Sequence, residues 1–175
     1  MTMLQSLVGQ SCLNCGKGKL AFATRSHDVG ALLGLEKVEV TNLPIAVCST
    51  CGYVHVPGDV LDSVSMMLAT HMLQAPTLAP IEARYLRRLL GFTQEELANH
   101  LGVERVTVSR WETASKDVDG VNAYALRSLV FFELRSKSPF IEAAAPSFVE
   151  APDPKKIEAP RAPHRLDASA IPSAA

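Results

Sequence analysis

The chain has 175 residues, 47% of them hydrophobic but only 6% aromatic, which allows one ordinary domain or two small ones with an aliphatic core. No apolar run reaches the roughly 18 residues of a transmembrane helix. Met1 to Gln10 lacks the basic stretch, apolar core and cleavage site of a signal peptide, so a cytoplasmic location is expected. A formal net charge of −1 argues against a generic polyanion binder, but not against a sequence-specific reader that places a few Lys and Arg locally.

Residues 1–56 hold strand-like pieces and all four cysteines. Lys19 to Thr24 alternates, with Leu20 and Phe22 on one face, as a half-buried strand does. Val38 and Val40 repeat that period, Ile45 to Cys48 is a short apolar run, and Tyr53 to Val56 is β-prone and closed by Pro57-Gly58. Three or four short strands are expected. Cys12-Leu13-Asn14-Cys15 and Cys48-Ser49-Thr50-Cys51 are two CxxC knuckles, each followed by a glycine, Gly16 or Gly52, that can take positive φ. Four thiolates make the tetrahedral set that a structural Zn²⁺ prefers, with no open position for metal catalysis. The 32 residues between the knuckles exceed the common spacing. That costs little, because each doubling of a closed loop adds only about 0.6 kcal/mol, whereas structural zinc contributes roughly 10–16 kcal/mol. Iron suits the same tetrahedron, two disulfides are rare in a cytosolic protein, and a catalytic dithiol needs only one CxxC. His27 and His55 are read as surface or packing residues.

From Asp59 the period becomes helical: Val60, Leu61, Val64, Met67, Leu68 and Met72 share a stripe. Asp59 is the expected N-cap, and Gln74 to Pro80 ends the helix. This helix either bridges two modules, pairs with its copy in a dimer or packs on its own domain.

Residues 80–137 read as helical throughout. A first helix, Ile81 to Leu90, turns Leu86, Leu89 and Leu90 inward and stops at Gly91. Thr93 and Glu96 form a capping box for a second helix that runs to His100 and buries Leu97, Ala98 and Leu101. Gly102 turns the chain, Val103 plugs between helices, and a third helix runs from about Glu104 to Thr113 with Val108 and Trp111 inward. Its outer face carries Arg105, Thr107 and Arg110, residue types that reach bases and phosphates. A fourth helix, Val121 to Leu134, is expected to bury Tyr124, Ala125, Leu129 and Phe132.

A short helix, a glycine turn and a second short helix with a polar outer face suit the major groove. Phe92-Thr-Gln-Glu-Glu-Leu-Ala98, Leu101-Gly-Val103 and Val108-Ser-Arg-Trp-Glu112 resemble the phage-repressor-like (Cro/XRE) helix-turn-helix over roughly residues 80–135. The resemblance implies that Gln94 binds a phosphate and braces the recognition helix, and that Arg105, Val106, Thr107 and Arg110 face the bases. It implies an ion pair between Arg87 and Glu112. Val106 departs from the pattern, where that position is usually polar; it could touch a thymine methyl.

With both knuckles, the long loop between them and the following helix, residues 10–135 resemble antitoxins of the MqsA type, the YgiT-type zinc-finger family. The resemblance implies that the zinc module binds a ribonuclease toxin and that the helix-turn-helix domain dimerises on the promoter the two share.

The expected fold is therefore α+β. A β-rich four-cysteine zinc module (1–58) is joined by a helix and linker (59–79) to an all-α helix-turn-helix domain (80–137). Seven of the eleven prolines lie in 138–175, which is expected to be a disordered Ala/Pro-rich tail. The functional expectation is a homodimeric, non-enzymatic transcriptional regulator that reads a palindromic operator on double-stranded DNA, away from membranes, as the autorepressing antitoxin of a toxin–antitoxin operon. The alternative is a zinc-ribbon interaction adaptor whose helix-turn-helix does not bind DNA, which the balance of five Arg against five Glu over residues 80–112 leaves open.

Overall fold

A computed structural model describes residues 3–113, 117–144 and 163–171. The fold is mixed α+β and divides into two compact units. Among described residues, the first takes in 3–32, 36–65 and 163–171, and the second 33–35 and 66–144.

The first unit is built on a four-stranded sheet. Strand β1 (Leu20–Asp28) pairs antiparallel with β2 (Val38–Cys48), from Leu20 opposite Cys48 to Asp28 opposite Glu39, with a bulge between Arg25 and His27. On its other edge β2 pairs with β3 (Val54–His55) near the knuckle and with β4 (His164–Asp167) at its start. The Val38–Val40 and Ile45–Cys48 pieces, separate in the sequence pattern, are one strand. Asn42 bends it at φ 54° and Pro44 lies within it, yet both belong to the ladder region because pairing with β1 continues through Leu43 and Pro44. Val38, Val40, Leu43, Ile45 and Ala46 are fully buried, and each large aliphatic side chain so placed contributes about 1.5–3 kcal/mol.

Phe22, expected on the inward face with Leu20, is 42% exposed while Leu20 is buried. β1 has a neighbour on one side only, and its burial ends after its first residue. A short helix not anticipated from the sequence, α1 (Met3–Leu7), sets Leu4 into a cluster with Cys12, Leu20, Ala46 and Cys48.

Two further helices follow from local sequence. α2 (Gly30–Leu33) is a single turn between β1 and β2, and α3 (Gly58–Gln74) is one continuous helix that crosses the unit boundary at residues 65–66. Asp59 lies inside its first turn rather than at the N-cap: the helix begins one residue earlier, with Leu61 N–H bonded to the Pro57 carbonyl. The Asp59 carboxylate instead accepts from the Met3 N–H at 3.0 Å.

The second unit is helical. α4 (Pro80–Leu89), α5 (Gln94–Leu101), α6 (Arg105–Thr113), α7 (Gly120–Leu134) and α8 (Pro139–Ala143) follow in order. Proline at N1 and the Glu82 carboxylate, which accepts from the Ala79 N–H at 2.8 Å, open α4. The Thr93 capping box opens α5: Thr93 Oγ1 accepts from Glu96 N–H at 3.2 Å, and Glu96 Oε2 accepts from Thr93 N–H at 2.7 Å. Gly102, at φ 66°, closes α5 in the left-handed conformation that a residue without Cβ adopts freely.

The expected inward stripe of α7 is corrected. Ala123, Leu126, Arg127, Val130 and Leu134 are buried, whereas Tyr124 is 44% and Phe132 61% exposed. The buried member that breaks the apolar pattern is Arg127. Its Nε donates to the Met72 carbonyl at 3.0 Å and its Nη2 to that of Thr77 at 2.7 Å, so the guanidinium satisfies carbonyls at and beyond the end of α3.

The expected disordered tail is corrected in two places: residues 139–143 are helical, and 164–170 form β4 and a 3₁₀ turn (Ala168–Ala170). The sheet edge supplies partners that composition does not reveal. The rest of that expectation, 145–162 and 172–175, lies outside the described residues.

Candidate nucleic-acid interface and metal centre

The two knuckles converge at the end of the sheet. Gly16 N–H bonds the Cys12 carbonyl at 2.8 Å and Gly52 N–H that of Cys48 at 3.1 Å, and both glycines have positive φ (68° and 70°). The four Sγ atoms lie within 4.8 Å of one another. Cys12 and Cys51 are 3.8 Å apart, and Cys15 and Cys48 are 3.7 Å apart. A tetrahedral metal with sulfur bonds of about 2.3 Å needs edges of about 3.8 Å, so these residues fit a metal ion, as structural zinc requires. All four cysteines are free, so the disulfide alternative is not what this geometry contains.

The surroundings favour thiolate at Cys48 and Cys15. Backbone N–H groups of Cys51 and Thr50 lower Cys48 to about 6, and those of Gly18 and Lys17 lower Cys15. Burial pushes Cys12 up to about 11, a cost that a coordinated cation reverses. Asn14 Nδ2 lies 3.7 Å from Cys51 Sγ, and His55 Nε2 lies 3.6 Å from Cys12 Sγ. His55 thus stands beside the cluster as a neighbour of one of its sulfurs. His27 belongs to β1 near the bulge, away from the four sulfurs.

Gly18 escaped the sequence reading. A Cβ there would run into Cys48 Sγ and lie 2.8 Å from Thr50 Oγ1, so only glycine lets the first knuckle close over the second. The doublet Gly16-Lys17-Gly18 was the available signal.

In the second unit, α4, α5 and α6 meet around Leu86, Leu97, Ala98, Val108 and Trp111, all buried. Inside this contact Glu112, also buried, gathers several donors. Arg87 donates through Nε to Oε1 at 2.5 Å and through Nη2 to Oε2 at 3.0 Å, and Gln94 Nε2 reaches Oε2 at 3.0 Å. Arg84 Nη2 donates to the Glu112 carbonyl at 2.8 Å, while its Nε lies 3.7 Å from Oε2. Arg84 is a participant the sequence reading missed; it lies one turn before Arg87 on α4. Burial alone would raise the Glu112 pKa, but hydrogen bonds from Arg87 and Gln94 and the charges of Arg87 and Arg84 outweigh it and leave the carboxyl below its ordinary value. Arg87 Nη1 also donates to the Phe92 carbonyl at 2.6 Å, which ties the turn between α4 and α5 to α6.

The opposite face of α6 is open. Arg105 and Arg110 are exposed, Val106 is 41% exposed and Thr107 is half-buried. Gln94, at the start of α5, bridges the two faces: its Oε1 accepts from Arg105 Nη1 at 3.3 Å while its amide nitrogen holds Glu112. Arg105 Nε stands 4.0 Å from Glu95. Arg110 has no ion-pair partner among the described residues.

A family model described as helix-turn-helix matches residues 84–129, the span from within α4 to within α7. The match supports a DNA-binding regulator of the XRE type and argues against an enzyme. With the four-cysteine cluster it fits a protein that combines a zinc-finger-like module with an XRE helix-turn-helix. A search of curated proteins finds no match to the chain. Among the described residues, no helix is long and apolar enough to cross a membrane.

Proposed function

We propose that the protein is a homodimeric, sequence-specific transcriptional regulator: the autorepressing antitoxin of a type II toxin–antitoxin operon, acting in the cytoplasm with a structural Zn²⁺ held by Cys12, Cys15, Cys48 and Cys51. The observation that carries the DNA-reading half is the two-sidedness of α6. One side is locked into the domain by Val108, Trp111 and the Glu112 pair, and the other presents Arg105, Val106, Thr107 and Arg110 outward. A rigidly seated helix with such an outer face is what base readout in the major groove uses.

Arg105 and Arg110 are assigned to base edges or phosphates, Val106 to a thymine methyl, Thr107 to either, and Gln94 to a backbone phosphate. The exposed charges of residues 80–112 are Arg88, Arg105 and Arg110 against Glu95, Glu96 and Glu104, so net charge does not drive binding. Affinity must come from placed contacts, and non-specific binding should be weak. The antitoxin role rests on the resemblance of the paired knuckles, connecting helix and helix-turn-helix to the MqsA type, in which the zinc module meets a ribonuclease toxin.

Selection of bound duplexes from a random pool tests the reading. The expected product is a two-fold symmetric sequence whose half-sites lie about one helical turn, roughly 34–36 Å, apart. A pool that stays random after repeated rounds rejects DNA reading and leaves the adaptor. For the partner, co-expression with the adjacent open reading frame should relieve growth arrest caused by that frame alone; no arrest, or no relief, removes the antitoxin assignment.

A further inference from the structure

The segment 163–171 returns to the first unit and completes its sheet. β2 has two edges. β1 covers one along most of its length, whereas β3 covers the other only at Ala46 and Val47. On that second edge, Val38–Thr41 pair with β4 in parallel, in the register Val38–His164, Glu39–Arg165, Val40–Leu166 and Thr41–Asp167.

The pairing is specific at the side-chain level. Arg165 Nε lies 3.4 Å from Glu39 Oε2, Asn42 Nδ2 donates to Asp167 Oδ1 at 2.9 Å, and Thr41 Oγ1 donates to the Leu166 carbonyl at 3.2 Å. The left-handed φ of Asn42 marks the backbone bend from which that amide reaches Asp167. Asp167 then caps the 3₁₀ turn through Ser169 N–H at 3.0 Å, and the turn brings Ala168 and Ile171 into burial. Alternating complementarity of this kind, apolar on one face and charged on the other, is how an acceptor edge recognises an extended segment.

We propose that the Val38–Thr41 edge is a strand-acceptor site and that 163–171 is its tethered occupant, a clasp that closes the edge in the single chain and competes there with any other extended segment. Three features make the clasp detachable. It pairs with one strand only, over four residues. Its locking contacts, to Glu39, Thr41 and Asn42, lie at the surface. It is joined to α8 by residues 145–162, eighteen residues including four prolines, so a released strand remains tethered and rebinds at high effective concentration. The clasp also has a reason to be present. Val38 and Val40 are fully buried on a strand whose backbone groups there would otherwise face open, and an uncovered apolar edge templates pairing with another chain.

The test uses the full chain with a site-specific protease sequence inserted between residues 150 and 158. After cutting, the C-terminal fragment should co-elute with the rest on size exclusion, and excess free peptide of sequence 163–171 should release it. Once fragment and peptide are both washed away, amide exchange at residues 38–41 should quicken by about tenfold or more, as for a locally opened edge. Arg165→Glu should weaken retention and Glu39→Arg in the same chain should restore it, a rescue that misfolding does not produce. Immediate loss of the fragment with exchange at 38–41 unchanged overturns the proposal. So does a stable dimer on mixing isotopically labelled chains in which one chain's segment occupies the other's β2, because the occupant would then be a second copy.

Discussion

Each of the two units is held together by a different strategy. In the helix-turn-helix unit, the elements that meet around Leu86, Leu97, Val108 and Trp111 are close in sequence and short, and one buried ion pair, Arg87 with Glu112, pins α6 to α4. In the sheet unit the pieces come from well-separated stretches of the chain, residues 3–32, 36–65 and 163–171, around a small aliphatic core and a four-thiol cluster. A unit of that size is marginal by burial alone, and a metal held by the four thiols would add to its stability. The lesson is that one chain can carry both a unit fitted to hold a metal and a unit built without one, so removing a metal should make the two fail separately.

The largest effect should come from removing the metal. Cys48→Ser, or a strong chelator, should unfold the sheet unit, since structural zinc contributes roughly 10–16 kcal/mol in small modules at neutral pH. Hydrogen exchange should show loss of protection at residues 20–48 with the helical unit unchanged; uniform loss in both units would break the comparison. A reductant alone should do nothing, because the four thiols are free.

Next comes the ion pair. Glu112→Ala leaves the Arg87 charge buried without its partner, and the helical unit should lose about 3–5 kcal/mol in chemical denaturation. Replacing both residues together, Arg87→Met with Glu112→Leu, should recover most of that loss. The same pair sets a pH response. The Glu112 pKa is lowered in the folded state, so its contribution is fully present above the unfolded glutamate value of about 4.3 and is lost as pH falls through the lower folded value. A melting temperature of the helical unit that rises on acidification would contradict the pairing.

Smaller effects sharpen the picture. Arg110→Ala should weaken specific DNA binding by about 1–3 kcal/mol with circular dichroism unchanged, since Arg110 forms no ion pair with another described residue. A melted fold would make Arg110 structural. Thr93→Ala removes the acceptor for Glu96 N–H and should cost the helical unit about 1 kcal/mol, read as a lowered melting temperature.

What the sequence made legible was local chemistry. The CxxC spacing with its trailing glycines, the Thr93–Glu96 box and Gly102 are each decided within a few residues, and the structure places them in the expected turns. Misreadings arise where distant contacts decide. Asn42 and Pro44 look like a strand break, but β1 pairs across them. α7 is apolar nearly all round, so periodicity could not choose its inner face, and the buried Arg127 disguises the true stripe as a polar one. β4 is four residues long and meets β2 about 125 positions away, which composition cannot signal. Gly18 needs the folded knuckles in view before its missing Cβ has meaning.

Fluorescence anisotropy of the full-length protein on DNA from upstream of its own coding sequence, beside a scrambled duplex and across a salt series, tests the central claim most directly. The account predicts tighter binding to the upstream duplex at every salt concentration, with both affinities falling as salt rises. Equal binding to the two duplexes, or none, would contradict it and turn attention to protein partners of the four-cysteine module.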